Sequence, residues 1–143
     1  MKPKDRAEAS AAAMLADDAA SRSLGITLEH VAPGFASMTM RVEAWHLNGH
    51  GICHGGVIFM LADTTFAVAC NSYNRRVVAQ HNMITYIAPV QSGATLRAEA
   101  IEVSRTGRSG LYDVGVWDGK TKVAEFRGAS REVPGRHFNE AEG

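Results

Sequence analysis

The chain is poor in cysteine and proline and has no excess charge of either sign. Two cysteines in 143 residues, Cys53 and Cys70, form neither a CxxC pair nor a dense framework, which excludes a disulfide scaffold and suits a reducing compartment. Fifteen Lys and Arg against fifteen Asp and Glu leave a formal net charge of zero, so there is no basic excess to hold a nucleic-acid backbone or an anionic membrane surface. No apolar run reaches the roughly 18 residues of a membrane span. Near the N-terminus, Lys2, Lys4 and Arg6 are mixed with Asp5, Glu8, Asp17 and Asp18 among alanines, without the continuous apolar core of a signal peptide. No glycine-rich phosphate loop, internal repeat or low-complexity segment is present. These absences predict a cytoplasmic protein that binds small molecules or other proteins, not nucleic acid or membrane.

The length fits one domain around one core. Residues 5–21, alanine-rich and followed by Gly25, predict a short peripheral N-terminal helix within residues 1–23. Residues 26–31 and 35–42 have strand alternation across a Pro33-Gly34 turn; Phe35, Ser37, Thr39 and Arg41 share one face, and Ala36, Met38, Met40 and Val42 the other. A Gly- and His-rich loop over 45–54 then leads to VIFMLADTTFAVACNSY, apolar around its whole circumference and thus a buried helix. Four more strands are predicted over 77–87, 94–104, 110–117 and 121–132, separated by Pro89 with Ser92-Gly93, by Thr106-Gly107 and by Asp118-Gly119, a two-residue hairpin signal. The pattern predicts an α+β fold in which an antiparallel sheet curls around one long helix over residues 24–133. Residues 134–143, with little to bury, are expected to form a flexible tail.

One absence is local. Between Glu43 and Arg75 the only Asp, Glu, Lys or Arg is Asp63, in the middle of the most apolar segment. A carboxylate so placed must be hydrogen-bonded, paired or set in a cleft, because desolvation otherwise neutralises it. Functional sites tolerate such costs; the structural alternative is an Asp satisfied by Thr64, Thr65 or a backbone amide. Eight residues earlier the helix begins at His54-Gly55-Gly56, where the first N–H groups have no intrahelical acceptor and the dipole is positive. Glycine there allows a thioester carbonyl close to the backbone, as in an oxyanion hole; the alternative is that the glycines only permit a tight turn into the helix. At about 1.5 Å per residue, Gly55 and Asp63 stand about 12 Å apart along the axis and cannot touch one carbonyl. If both serve one reaction, two antiparallel copies of the helix are needed, hence a two-fold dimer with composite sites.

His46, His50 and His54 recur every fourth residue beside Cys53, but Gly49, Gly51, Gly55 and Gly56 break any continuous helix that would align them, so no metal site is expected. Cys70, in an apolar helix, reads as core rather than nucleophile. Basic residues gather near turns, at Arg75 and Arg76, at Arg105 and Arg108 around Thr106-Gly107, and at Lys120 and Lys122. Arginines on a turn beside an apolar tunnel are the anchor that the phosphates of a CoA-sized ligand require.

NGHGICHGGVIFMLADTTFAVACNS, followed by ITYIAPVQSGATLRAEA and GLYDVGVWDGKTKVAEFRGAS, resembles the phenylacetyl-CoA thioesterase branch of the hot-dog superfamily, over about residues 24–131. Its most specific part is Asn48, His54-Gly55-Gly56 six residues on, and Asp63 seven residues beyond the second glycine. The resemblance implies a hot-dog fold and hydrolysis of an acyl-CoA, of aryl-acetyl or hydroxyaryl-acetyl type, with no cofactor beyond the CoA of the substrate. It implies Asp63 as nucleophile or general base, Gly55 as the N–H that polarises the carbonyl, and Asn48 as the residue that places water or carbonyl. His54 would shape the loop and, with Gly56, contact bound acyl-CoA, while Arg105 and Arg108 are the candidate phosphate anchors. It also implies a homodimer paired again into a homotetramer. A hot-dog hydratase or dehydratase and a non-catalytic acyl-CoA-binding module are the competing readings. One departure stands out: where some relatives place a serine on the strand after the helix, this chain has Ala79, with Gln80, His81 and Asn82 as the nearby polar residues.

Overall fold

The computed structural model describes residues 1–141. Helices α1 (Pro3–Ala16) and α2 (Ala19–Ser23) precede strands β1 (Thr27–Ala32) and β2 (Phe35–Arg41). A 3-10 turn (Ala44–His46) and a loop lead to helix α3 (Gly55–Cys70), and strands β3 (Val77–Tyr86), β4 (Thr95–Thr106), β5 (Ser109–Asp118) and β6 (Thr121–Glu132) follow. Each strand pairs antiparallel with its neighbours in one six-stranded sheet of order β1-β2-β4-β5-β6-β3. The expected sheet around a central helix is present.

Strand alternation sets what faces the helix. Ala36, Met38, Met40 and Val42 are all at most 1 % exposed, opposite Leu96, Ala98 and Ala100 of β4 and close to Val114, Val116 and Phe126. Against this concave face α3 buries Ile58, Leu61, Ala62, Phe66, Val68 and Ala69. Phe66 packs edge-on to Tyr112 and lies over Gly128 of β6, where a Cβ would fall 2.8 Å from its ring. Burying side chains of this size is the main source of stability, about 1.5–3 kcal/mol each.

Four expectations are corrected. The N-terminal helix is two helices, because Asp18 caps the second: its carboxylate accepts from Ser21 N–H at 3.0 Å. Nor is this segment merely peripheral, since Ala7, Ser10 and Ala11 of α1 are buried. Helix α3 stops at Cys70 rather than running to Tyr73; Asn71 turns the chain by donating to the Ala67 and Val77 carbonyls and accepting from Val77 N–H. The tail over 134–143, expected to be flexible, is bonded as far as Glu140, and its residues 142 and 143 lie outside the described residues. Asn74 accepts from the N–H groups of His137 and Phe138 and donates to the Phe138 carbonyl, while Arg6 holds Glu140 at 2.6 Å. Asn74 itself sits in the left-handed region at φ 55°, which asparagine tolerates better than most residues. Among the described residues, no helix is long and apolar enough to cross a membrane.

Candidate active site

Most of α3 is wrapped by the sheet, but one stripe is not. Gly56, Met60, Asp63 and Ala67, at spacings of four, three and four, are among the less buried positions of the helix, with Gly55, Val57 and Phe59 of its first turns, and share one face. Asp63 is therefore half-buried, on an otherwise apolar stripe. Its Oδ1 accepts from Asn82 Nδ2 at 2.9 Å. Neither threonine suggested as a structural partner reaches it: Thr64 Oγ1 meets Ser21 Oγ at 2.8 Å, and Thr65 donates to the Leu61 carbonyl. Burial raises the Asp63 pKa above the ordinary carboxylate value; Asn82 opposes this and the charge of Asp18 adds to it. The site thus holds a carboxylate that is more basic than usual, the direction required of a general base or nucleophile.

At the N-terminus of α3 the two glycine amides differ. His54 is the N-cap, and its Nδ1 accepts from Gly56 N–H at 2.9 Å. The Gly56 N–H is thus engaged within the chain, whereas the Gly55 N–H finds no acceptor among the described residues. Tyr86, from the end of β3, donates to the Gly55 carbonyl at 2.7 Å, and a Cβ on Gly55 would fall 2.9 Å from its ring. Only glycine allows this approach at the helix N-terminus. Asn48 organises the preceding loop: its Oδ1 accepts from His50 N–H at 2.9 Å, and its own N–H donates to the Ile52 carbonyl. Its Nδ2 makes no hydrogen bond among the described residues and is the end of the side chain left for a ligand.

The histidines have separate tasks. His46 is buried and accepts from Glu43 N–H through Nδ1; desolvation lowers its pKa, with the charge of Glu43 opposing, and its backbone carbonyl accepts from His54 N–H. His50 is exposed. Among the described residues no three His, Cys, Asp or Glu side chains gather as a metal site. Both cysteines are buried and burial pushes their thiols up, Cys70 to about 12.

Arg105 and Arg108 flank the β4–β5 turn at the far, C-terminal end of α3. With Cys70, Val77 and Tyr112 they line a small hollow. Arg105 also stacks over the Tyr73 ring at 3.6 Å and faces a larger hollow of ≈ 640 Å³, rimmed by Arg75 and Arg136 as well. The structure does not bring these arginines to Gly55 of the same chain. Of the aromatics on and after α3, Phe66 is core and Tyr73 belongs to this basic end, while Phe59 and Tyr86 remain near the helix N-terminus.

Sequence reasoning missed Asn82 as the partner of Asp63 and Tyr86 as the cover over Gly55. Three polar residues in a row on β3 left the inward one open. The structure decides it with a β-bulge: Ala79 pairs with Ser130 and His81 with Ala129, so Gln80 is the extra residue and the alternation shifts by one. Asn82 then falls opposite Gly128, on the helix side.

A family model described as the thioesterase superfamily matches residues 50–125. The chain is 42 % identical over 130 residues to the acyl-coenzyme A thioesterase PaaI of Escherichia coli (strain K12), covering 90 % of this chain and 93 % of that protein. It superimposes on the solved structure of the E. coli PaaI protein from the phenylacetic acid degradation operon with a TM-score of 0.92 at 40 % identity, covering 94 % of this chain and 99 % of the other. A Streptococcus mutans protein solved with bound acetyl CoA matches with a TM-score of 0.74 at 25 % identity, over 78 % of this chain and 90 % of that one. The sheet and helix described above are those of the hot-dog fold.

Proposed function

The chain belongs to the thioesterase superfamily, and from that membership we propose that it hydrolyses small acyl-CoA thioesters, of aryl-acetyl or hydroxyaryl-acetyl type, to free acid and CoA. The observation that carries the reading is Asp63: one carboxylate made more basic by burial, on the open stripe of a helix whose first amide, Gly55 N–H, has no partner. In the reaction the Gly55 N–H and the helix dipole stabilise the charge that develops on the thioester oxygen, commonly worth about 10²- to 10³-fold per donor. Asp63 either takes a proton from the attacking water, which then reaches the departing CoA sulfur, or attacks the carbonyl to form an acyl anhydride with loss of CoA. In the second case water hydrolyses the anhydride to the free acid and regenerates the carboxylate, its proton going to the thiolate. Asn48, through its Nδ2, helps to place water or carbonyl. The reaction needs no cofactor besides the CoA of the substrate.

Gly55 and Asp63 lie about 12 Å apart along one axis, so the working site is composite and the protein a homodimer. Two features support this. Gly56, Met60, Asp63 and Ala67 share one face of α3, and none of them is fully buried. The edge strand β3, ten residues long, has no partner on its outer side and exposes Val78 (49 %), Met83 (59 %) and Tyr86 (48 %). An apolar edge of this length is a template for another strand, and a second β3 pairing antiparallel across a two-fold axis would continue the sheet and set the two α3 helices antiparallel. Exposed Ile101 and Val103 on β4 give the dimer a further apolar surface, in keeping with a homotetramer. Arg105 and Arg108, beside Cys70, lie about 10 Å beyond Asp63 along the helix and take the CoA phosphates there. Two unpaired buried thiols suit the reducing cytoplasm.

Free-thiol release from a panel of acyl-CoA esters, measured on the wild type and on Asp63→Asn, tests the reading. The wild type turns over, with aryl-acetyl esters preferred, and the variant loses at least about 10²-fold in kcat. A folded variant that kept most of its kcat would sink the mechanism. Binding of CoA esters without turnover would identify an acyl-CoA-binding module, and hydration of an enoyl-CoA without thiol release a hydratase.

A further inference from the structure

Asn82 combines three observations. The bulge at Ala79 and His81 turns its side chain toward α3. Its Nδ2 makes the one hydrogen bond that Asp63 receives from a side chain among the described residues. Its Oδ1, by contrast, is buried with no partner. A side chain retained only to stabilise the strand would have both ends of its amide bonded, or be apolar. This amide leaves its acceptor unsatisfied among the described residues while its donor reaches the carboxylate.

We propose that Asn82 is the positioning residue for Asp63: its Nδ2 fixes the Oδ1 oxygen, presents Oδ2 to the thioester or its water, and holds the carboxylate in its ionised form. The amide cannot be turned over without setting its oxygen against the anion, so its orientation and the charge of Asp63 are linked. The surroundings press the other way. Burial and the charge of Asp18, at the N-cap of α2, both favour the protonated acid. Cys70, on the same helix, is a protonated thiol and adds no compensating charge, and the neighbouring Thr64 is committed to Ser21. Asn82 alone among these groups favours the anion.

The consequence for turnover rests on the thioesterase reading above; the contact itself does not. The test is Asn82→Leu, similar in size but without the N–H, and Asn82→Ala should the first not fold. Two quantities are followed: the pH profile of kcat/KM for thiol release, and the ¹³C chemical-shift titration of the Asp63 carboxyl in the intact protein. Loss of the donor raises the Asp63 midpoint, moves the acid limb of the profile to higher pH, and lowers kcat on the order of tenfold with little change in KM. A folded variant whose Asp63 titration and acid limb coincide with those of the wild type overturns the proposal. A wild type inert on every thioester would defeat the functional reading instead, and the carboxyl titration would still decide whether Asn82 holds Asp63 ionised.

Discussion

Asp63 sets stability against chemistry at a single residue. Its pKa is raised by burial, so the folded chain binds the proton more tightly than the unfolded chain. The associated stability is complete below the unfolded value, about 3.9, and is lost as pH rises through the folded one. At neutral pH the ionised carboxylate therefore costs stability that an amide would not. Asp63→Asn, which should nearly abolish turnover, is expected to raise Tm at pH 7 and to leave it nearly unchanged near pH 3; thermal unfolding at the two pH values checks this. In the mechanism proposed above the anion is the reacting form, so in the wild type the acid limb of kcat/KM should lie above the usual carboxylate value. An equal Tm for both proteins at pH 7 would mean that the site solvates the charge fully. The placements of Asp63, partly buried in an apolar helix, and of Gly55, at its N-terminus, were legible in the sequence because a single charge in an apolar run and glycines at a helix start each have few physical explanations. Asn82 was not, since nothing in a run of alternating residues announces which one a bulge leaves unpaired.

Among the elements, the helices and strands themselves were placed from local chemistry, whereas the break at Asp18, the stop of α3 at Cys70 and the anchored tail, each set by hydrogen bonds of one side chain, were not. Asp118-Gly119 yields the tight β5–β6 hairpin, with Asp118 opposite Thr121, because the turn residues themselves carry the conformation. The apolar stretch after Gly55 is a buried helix for an equally local reason. The C-terminal segment was misread because its anchor, Asn74, lies some sixty residues earlier in the chain. That anchor combines a left-handed backbone with hydrogen bonds from both ends of one side chain. Asn74→Ala should remove both and cost about 2–4 kcal/mol, whereas Asn74→Gly loses the bonds but not the backbone compatibility and should cost about 1 kcal/mol less. Urea unfolding at fixed protein concentration measures the difference. Equal values for the two substitutions would show that the left-handed turn carries no cost of its own.

At the scale of the whole molecule the question is which chain supplies which half of the site. Along one helix Gly55 and Asp63 are too far apart to meet at one carbonyl, and the hollows at the basic end of α3 do not include Asp63. A site shared between copies makes a prediction that a site within one chain cannot. Asp63→Asn and Gly55→Val are each expected to be nearly inactive. In a heterodimer of the two, one site carries both substitutions while the other receives an intact Asp63 from one chain and an intact Gly55 from its partner. After unfolding and refolding an equimolar mixture, random pairing makes about half the dimers heterodimers, each with one working site of two, so activity should return to roughly a quarter of wild type. The same mixture combined without subunit exchange should stay inactive, which excludes trace contamination by wild type. If each active site lies wholly within one chain, refolding restores nothing, because every chain carries one defect. The recovered fraction thus reports the geometry of the site directly, independently of which acyl group the pocket prefers.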